Sequence, residues 1–443
     1  MNYSQQHKEL KAWIVTADMG YGHQRAVFPL RKIAEGGIIT AGSNETSAQY
    51  ERKLWRRVLG AYEFLSRAKS IPLIGSSLFT LLDKFLHIPS TYPERNLTGV
   101  TFQVNLLESS IKKGLCSGMI EKVKEKNLPL VTSFYAPAIA ADEAGIEDIY
   151  CIICDTDMNR VWVPKEPAKS RIKYFAPCIS AVRRLKMYGV PDDKIYLTGF
   201  PLPDELTGGA SLNILKNDLR TRLKILDPEN KFHLRHEQSI NHFLGEENVN
   251  EKADRKITIT YCIGGAGAQK EIGIKIISSL KNKLKNGKVK INIAAGSKKN
   301  VHDYFVNAVQ EICGECANIN LIYSANLHEY FSNFNEALRN TDILWTKPSE
   351  LSFYTALGIP VIMTPSIGSQ ESFNKKWLME IHAGLMQENP DYTDQWLFDL
   401  INRGVLAEMA WAGFLKARKL GTSRIIEVLK TGRLTPDESP VLR

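Results

Sequence analysis

No apolar run in this 443-residue chain reaches the length a bilayer-crossing helix needs. The opening residues Met1–Leu10 are polar, unlike the apolar core of a signal peptide. An acidic excess is also missing. Lys and Arg number 57 against 48 Asp and Glu, a formal net charge of +9 that favours anionic partners such as nucleotides or phospholipid surfaces. The charge alone would equally suit nucleic acid, but no nucleic-acid partner is expected. Cysteines number seven, an odd count without a dense framework, which points to a reducing compartment rather than a disulfide scaffold. Cys151-x-x-Cys154 lies inside the apolar run Ile149–Cys154, and Cys313-x-x-Cys316 lies near a helix end. Neither has further His or Cys beside it, so both read as buried thiols rather than zinc ligands. The first glycine turn, Gly20-Tyr21-Gly22, lacks the third glycine of a dinucleotide fingerprint. No metal and no cofactor are expected.

What is present is alternation. A chain this long exceeds one ordinary core. Short apolar runs such as Trp13-Ile14-Val15, Leu128–Ser133, Asp148–Cys154 and Lys256–Ile263 alternate with amphipathic helical patterns. Between them, Glu205–Arg255 is polar, with helical patches and no strand signal. The predicted fold class is α/β: two doubly wound Rossmann-like domains facing across a cleft, with a C-terminal helix able to cross back. The expected boundaries are 1–203, a linker or helical insertion at 204–255, a second domain at 256–414, and a helix and tail at 415–443 that can pack on the first domain.

In open parallel sheets ligands gather where strands end and helices begin, because helix N-termini present free N–H groups and positive dipole ends. The stretch Asp342–Trp377 holds two such turns. Ile343-Leu344-Trp345 reads as a strand, Lys347-Pro348-Ser349-Glu350 as its exit, and a helical pattern runs to the stop at Gly358. Val361-Ile362-Met363 reads as the next strand, and Ser369-Gln370-Glu371 opens the next helix. In the first half, His23 sits at the mouth of the Gly20-Tyr21-Gly22 turn. It is read either as a base for a hydroxyl proton or as a helix-start histidine bonding a carbonyl. Asp155-Thr156-Asp157 at a strand end could hold a divalent ion or act as turn capping; no metal is assigned. Residues 51–88 interleave Arg and Lys with Trp55, Tyr62 and Phe64. That pattern suits the surface of an anionic membrane, or alternatively a solvated basic face over a packed stripe. A cytoplasmic location, with an option of peripheral contact on the inner face of the membrane, follows.

Taken together, these pieces resemble the GT-B nucleotide-sugar glycosyltransferases, in particular monogalactosyldiacylglycerol synthases and the lipid-linked N-acetylglucosaminyltransferase of peptidoglycan synthesis. The matching residues are Gly20-Tyr21-Gly22-His23, Asp155-Thr156-Asp157 with Trp162, and Lys194–Pro201. Gly264-Gly265-Ala266-Gly267-Ala268, Thr346–Glu350, Ala356–Pro360 and Gly368–Glu371 with Asn374 complete the set. The resemblance implies a metal-independent inverting transfer of a hexosyl group from a nucleotide-diphosphate sugar, a UDP-sugar by expectation, to a hydroxyl acceptor that can be lipid-linked. It implies His23 as base or acceptor-orienting group, with Gly20, Tyr21, Gly22, Asp157 and Trp162 around the acceptor. It implies Gly264, Gly265, Ala266 and Gly267 at the diphosphate, Ser349 and Glu350 at the nucleotide, and Gln370, Glu371 and Asn374 at the hexose, with Glu371 catalytic. Lys298, at a strand end, is added as a charge for the departing diphosphate. The chain departs from these relatives at Lys347-Pro348-Ser349-Glu350, where they often carry more glycine, and at Phe353, where they carry a glutamate.

Two other functions fit the same architecture. A nucleotide-sugar 2-epimerase matches Ser369-Gln370-Glu371, but Thr364-Pro365-Ser366 lacks the arginine-glutamate-proline segment such enzymes need. A non-catalytic nucleotide-sugar-binding protein is the other.

Overall fold

The structure, a computed structural model, describes residues 10–57, 88–245, 255–264, 267–366, 368–437, 439 and 441–443. It divides into two compact units. The first comprises Met1–Cys154, Met158–Pro201 and Thr422–Pro436; the second comprises Asp155–Asp157, Leu202–Gly421 and Asp437–Arg443.

The first unit is built on a six-stranded sheet of β1 (Trp13–Ala17), β2 (Ile39–Ala41), β3 (Leu130–Thr132), β4 (Ile149–Ile152), β5 (Ile172–Ala176) and β6 (Ile195–Leu197). The strand order is β2-β1-β3-β4-β5-β6 and every pairing is parallel. Strands β1, β3 and β4 are buried along their whole length, as strands covered by helices on both faces must be, which explains their unbroken apolar sequences. Helix α1 (Tyr21–Val27) leaves β1, and α2 (Tyr135–Glu143) leaves β3.

The second unit carries β7 (Ile257–Cys262), β8 (Val289–Gly296), β9 (Ile319–Tyr323), β10 (Ile343–Thr346), β11 (Val361–Met363) and β12 (Gly384–Met386). They form a second parallel sheet in the order β12-β11-β10-β7-β8-β9. Two doubly wound parallel sheets are the fold class expected from the sequence. In each, the strand order reverses once, between β1 and β3 in the first unit and between β7 and β10 in the second. Those reversals open the crevices where α/β sheets bind ligands.

Residues 204–255 supply helix α3 (Asn213–Leu226) and helix α4 (His233–Leu244) to the second unit. Helix α3 does structural work at the strand ends. Arg222 is 1% exposed, and its guanidinium donates to the carbonyls of Thr341 (2.7 Å), Leu357 (2.8 Å) and Gly358 (3.3 Å). Burial lowers its pKa to about 10, so it stays charged at neutral pH. The segment Glu350–Leu357, expected as an ordinary helix, is a three-ten helix whose eight residues are all buried. Gly358 ends it with φ of 67°. Leu219 of α3 would lie 2.4 Å from a Cβ at that position, so only glycine fits both the backbone and the space.

Most of the basic, aromatic segment 51–88 lies outside the described residues. Where it is described, residues 49–57 are helical and Trp55 is buried, its indole N–H donating to Glu51 at 3.3 Å. Among the described residues, no helix is long and apolar enough to cross a membrane.

Candidate functional site

In the second unit the carboxyl ends of β7 and β10 meet at the strand-order reversal. After β7, Gly264 turns the chain. Its carbonyl accepts from the Gly267 N–H at 2.7 Å, and a Cβ on Gly264 would lie 3.3 Å from Cε of Lys347, whose side chain runs over it. Gly265 and Ala266 lie outside the described residues. Gln269 secures the exit of this turn from a left-handed backbone with φ of 67°. Its Oε1 accepts from the Thr364 hydroxyl (2.7 Å), its Nε2 donates to the Pro365 carbonyl (2.7 Å), and its own carbonyl accepts from the Tyr261 hydroxyl (2.6 Å).

Past β10, Lys347 donates to Oε1 of Glu371 at 2.7 Å. Helices α5 (Lys270–Lys285) and α6 (Lys299–Cys313) follow β7 and β8, and Glu371 stands in the first turn of α7 (Ser369–Glu380). Its other oxygen accepts from the Gly368 N–H at 3.3 Å, so the carboxylate also caps its own helix. Three residues on, Asn374 is fully buried and ties three segments together. Its amide donates to Oδ1 of Asp155 (2.7 Å) and to the Pro348 carbonyl (3.2 Å), and its carbonyl accepts from the Thr156 N–H (2.9 Å). Glu350, first in the three-ten helix, is buried beside them.

Glu350, Glu371 and Lys347 all lie near enough to Asp155 to act on its charge. The electrostatic result appears at Asp155. Burial raises its pKa to about 6, with the charges of Glu350 and Glu371 adding to the rise and the Asn374 hydrogen bond and Lys347 opposing it. A site this acidic is suited to hydroxyl donors, which carboxylates bind as acceptors, more than to phosphate oxygens. Anionic groups would instead be met by Lys347 and by backbone N–H groups at the strand exits. Among the described residues, no group of three or more His, Cys, Asp or Glu is arranged to hold a metal ion.

The first unit has a separate arrangement at its own strand-order reversal. His23, in the first turn of α1, places Nδ1 2.7 Å from the Ser133 carbonyl at the end of β3. A carbonyl only accepts, so Nδ1 is the donor in that bond. The bond to a carbonyl is the one expected of a helix-start histidine. Its ring lies 4.9 Å from Phe134 and 6.0 Å from Trp162, with Tyr135 5.2 Å from Trp162. Gly20 precedes α1 with φ of 109°, while Tyr21 and Gly22 form its first turn.

Of the residues singled out in sequence, Glu350, Glu371 and Asn374 are brought together, with Gly264 beneath Lys347. Ser349 directly precedes the three-ten helix without a side-chain bond to its first turn, and Gln370 is half-buried in the first turn of α7. His23 and Trp162 are neighbours in the first unit, whereas Asp157 belongs to the second. Lys298 is exposed at the start of α6, and no hydrogen bond or ion pair joins it to the cluster among the described residues. The sequence reading missed Lys347 and Asp155 as members of the site. Both lay within stretches noted in the sequence, Asp155-Thr156-Asp157 and Thr346–Glu350, each following a strand run, but neither residue was given a role there.

A family model described as a domain of unknown function (DUF6938) matches residues 246–320. No curated protein matches the chain. Among solved structures, the chain is similar to the Staphylococcus aureus MnaA–UDP structure, at 14% identity and a TM-score of 0.45 over 95% of this chain and 96% of that one. It is similar to Acinetobacter baumannii MurG at 13% identity and a TM-score of 0.46, over 95% and 99% of the two chains. The UDP-GlcNAc 2-epimerase of Neisseria meningitidis, bound to UDP-GlcNAc, is similar at 12% identity and a TM-score of 0.46, over 95% and 100%.

Proposed function

We propose that the chain is a glycosyltransferase that moves a hexosyl group from a nucleotide-diphosphate sugar to a hydroxyl acceptor, without a metal and with inversion. The observation that carries this reading is the Lys347–Glu371 pair beside Asp155 and Asn374 at the strand-order reversal of the second unit. One cation for phosphate and several carboxyl and amide groups for sugar hydroxyls suit the two halves of such a donor. Nucleotide sugars are likewise named for the Neisseria meningitidis protein.

In this reading the turn Gly264–Gly267 brings backbone amides to the diphosphate, with Lys347 and Lys298 as cations. Ser349 and Glu350 hold the nucleotide, and Gln370, Glu371 and Asn374 hold the hexose. His23 serves the acceptor hydroxyl, with Gly20, Tyr21, Gly22, Asp157 and Trp162 as the other acceptor residues. The acceptor oxygen forms the new bond to the anomeric carbon as the bond from that carbon to the phosphate oxygen breaks. The electron pair leaves with the nucleoside diphosphate, and the hydroxyl proton goes to Nε2 of His23.

A nucleotide-sugar 2-epimerase is the second reading. It is favoured by the Asp155 carboxyl, raised to about 6, since a group that gains and loses a proton near neutral pH suits its removal and return. Calorimetric titration with UDP and UDP-sugars, followed by product analysis with and without added hydroxyl acceptors, separates these. We expect Lys347→Met to weaken UDP binding about tenfold or more, the loss of one charged hydrogen bond. His23→Ala should lower transfer on the order of a hundredfold while leaving UDP binding intact. Sugar interconversion without acceptor would establish the epimerase, binding without turnover a silent binder, and no binding would sink all three.

A further inference from the structure

Beside the amino-terminal parts of β7 and β8 and along the length of β9 in the second unit lies a cavity of about 330 Å³. It opens between the β8–β9 edge of the sheet and the helix Leu327–Arg339, with Thr258 at its inner end. Its volume equals roughly ten water molecules at about 30 Å³ each, within the range of small-ligand pockets.

The floor of this cavity, formed by Thr258, Asn292 and Asn320, is polar, and it joins a polar row that runs on through the sheet behind it. The hydroxyls of Thr341 and Thr260 lie 2.6 Å apart. Asn292 then donates to Thr260 at 3.1 Å, and Asn320 donates to Asn292 at 3.2 Å. This chain of side chains crosses from the β10 edge to the outermost strand. Thr260 and Asn292 are almost wholly buried. A polar row inside a core costs stability unless its members are satisfied. Here each asparagine amide uses one N–H on its neighbour and keeps a second for something else.

The walls match the floor. Asn333 projects from the helix, Tyr323 offers a half-buried ring, and Lys290 and Glu336 carry opposite charges, neither with an ion-pair partner among the described residues. Several amides, one aromatic face and no net charge are the features that bind hydroxyls in pairs and stack a pyranose ring.

We propose that this cavity is a second binding site, for a neutral carbohydrate of one or two hexose units, independent of what the strand-order reversal binds. Ligand-observed saturation-transfer NMR on the full chain tests it, with glucose, galactose, N-acetylglucosamine and lactose as probes and glutamine as a zwitterionic control. Saturating UDP is present throughout to fill the nucleotide position, and a sugar held at the carboxyl ends is counted apart by a signal that the variants below leave unchanged. At least one neutral sugar should give a signal that survives UDP. The Asn333→Ala/Asn340→Ala variant, changed only at exposed positions of the cavity wall, should weaken that signal about tenfold with unaltered melting and UDP binding. Glu336→Ala should do the same if the double variant fails to fold. No signal from any neutral sugar, a signal from glutamine alone, or one unchanged in the variants would overturn the proposal.

Discussion

At the scale of residues, Asp155 is the most informative group. Its carboxyl holds a proton more tightly in the folded chain than in the unfolded one, with a folded pKa of about 6. A pKa raised by folding means stability is greatest below the unfolded value, about 4, and falls as pH climbs through about 6. The cost of ionising it is at most about 3 kcal/mol by the free energy of a two-unit shift. Asp155→Asn keeps an oxygen for the Asn374 amide and removes the titration. Its melting temperature should therefore vary less than that of the parent between pH 4 and 6.5, and parallel curves would refute the assignment. None of this was legible in the sequence. Asp155 meets Asn374 from 219 positions away, and His23 meets Ser133 from 110. Strand-end position marked such residues as candidates, but only folding chooses their partners.

At the scale of elements, alternating apolar runs revealed the strands well because a strand buried on both faces has little choice but Val, Ile, Leu and their like. The segment between the two domains was harder to read, since helix α3 looks like any amphipathic helix until Arg222 is seen reaching into the sheet. Arg222→Met would keep the aliphatic stem and orphan the carbonyls of Thr341 and Leu357, each costing about 1–3 kcal/mol. We expect a loss of about 3 kcal/mol in denaturant unfolding. A variant within about 0.5 kcal/mol of the parent would mean that water replaces the guanidinium. The three-ten geometry after Ser349 escaped the sequence reading for a related reason. Burial of all eight residues, with Gly358 pinned against Leu219, overrides the local helical pattern.

At the scale of the whole molecule, each six-stranded sheet has its own core, so ligand effects should be local. Scanning calorimetry should resolve two transitions. UDP at a hundredfold excess over its dissociation constant should stabilise one of them by about 2.7 kcal/mol. It should be the same transition that Arg222→Met lowers, because both act on the second unit. A UDP shift confined to the other transition would remove the nucleotide site from the β7–β10 reversal.

The anchoring of Gln269 bears on timing. Three hydrogen bonds hold that residue in a left-handed backbone between the glycine turn and the ends of β7 and β11. The exit of the turn therefore takes its shape during folding, before any ligand arrives. A diphosphate reaching it would have no slow rearrangement of that exit to wait for. Capture would be set by the rate of encounter, which the positive charge of the chain raises for an anion at low salt.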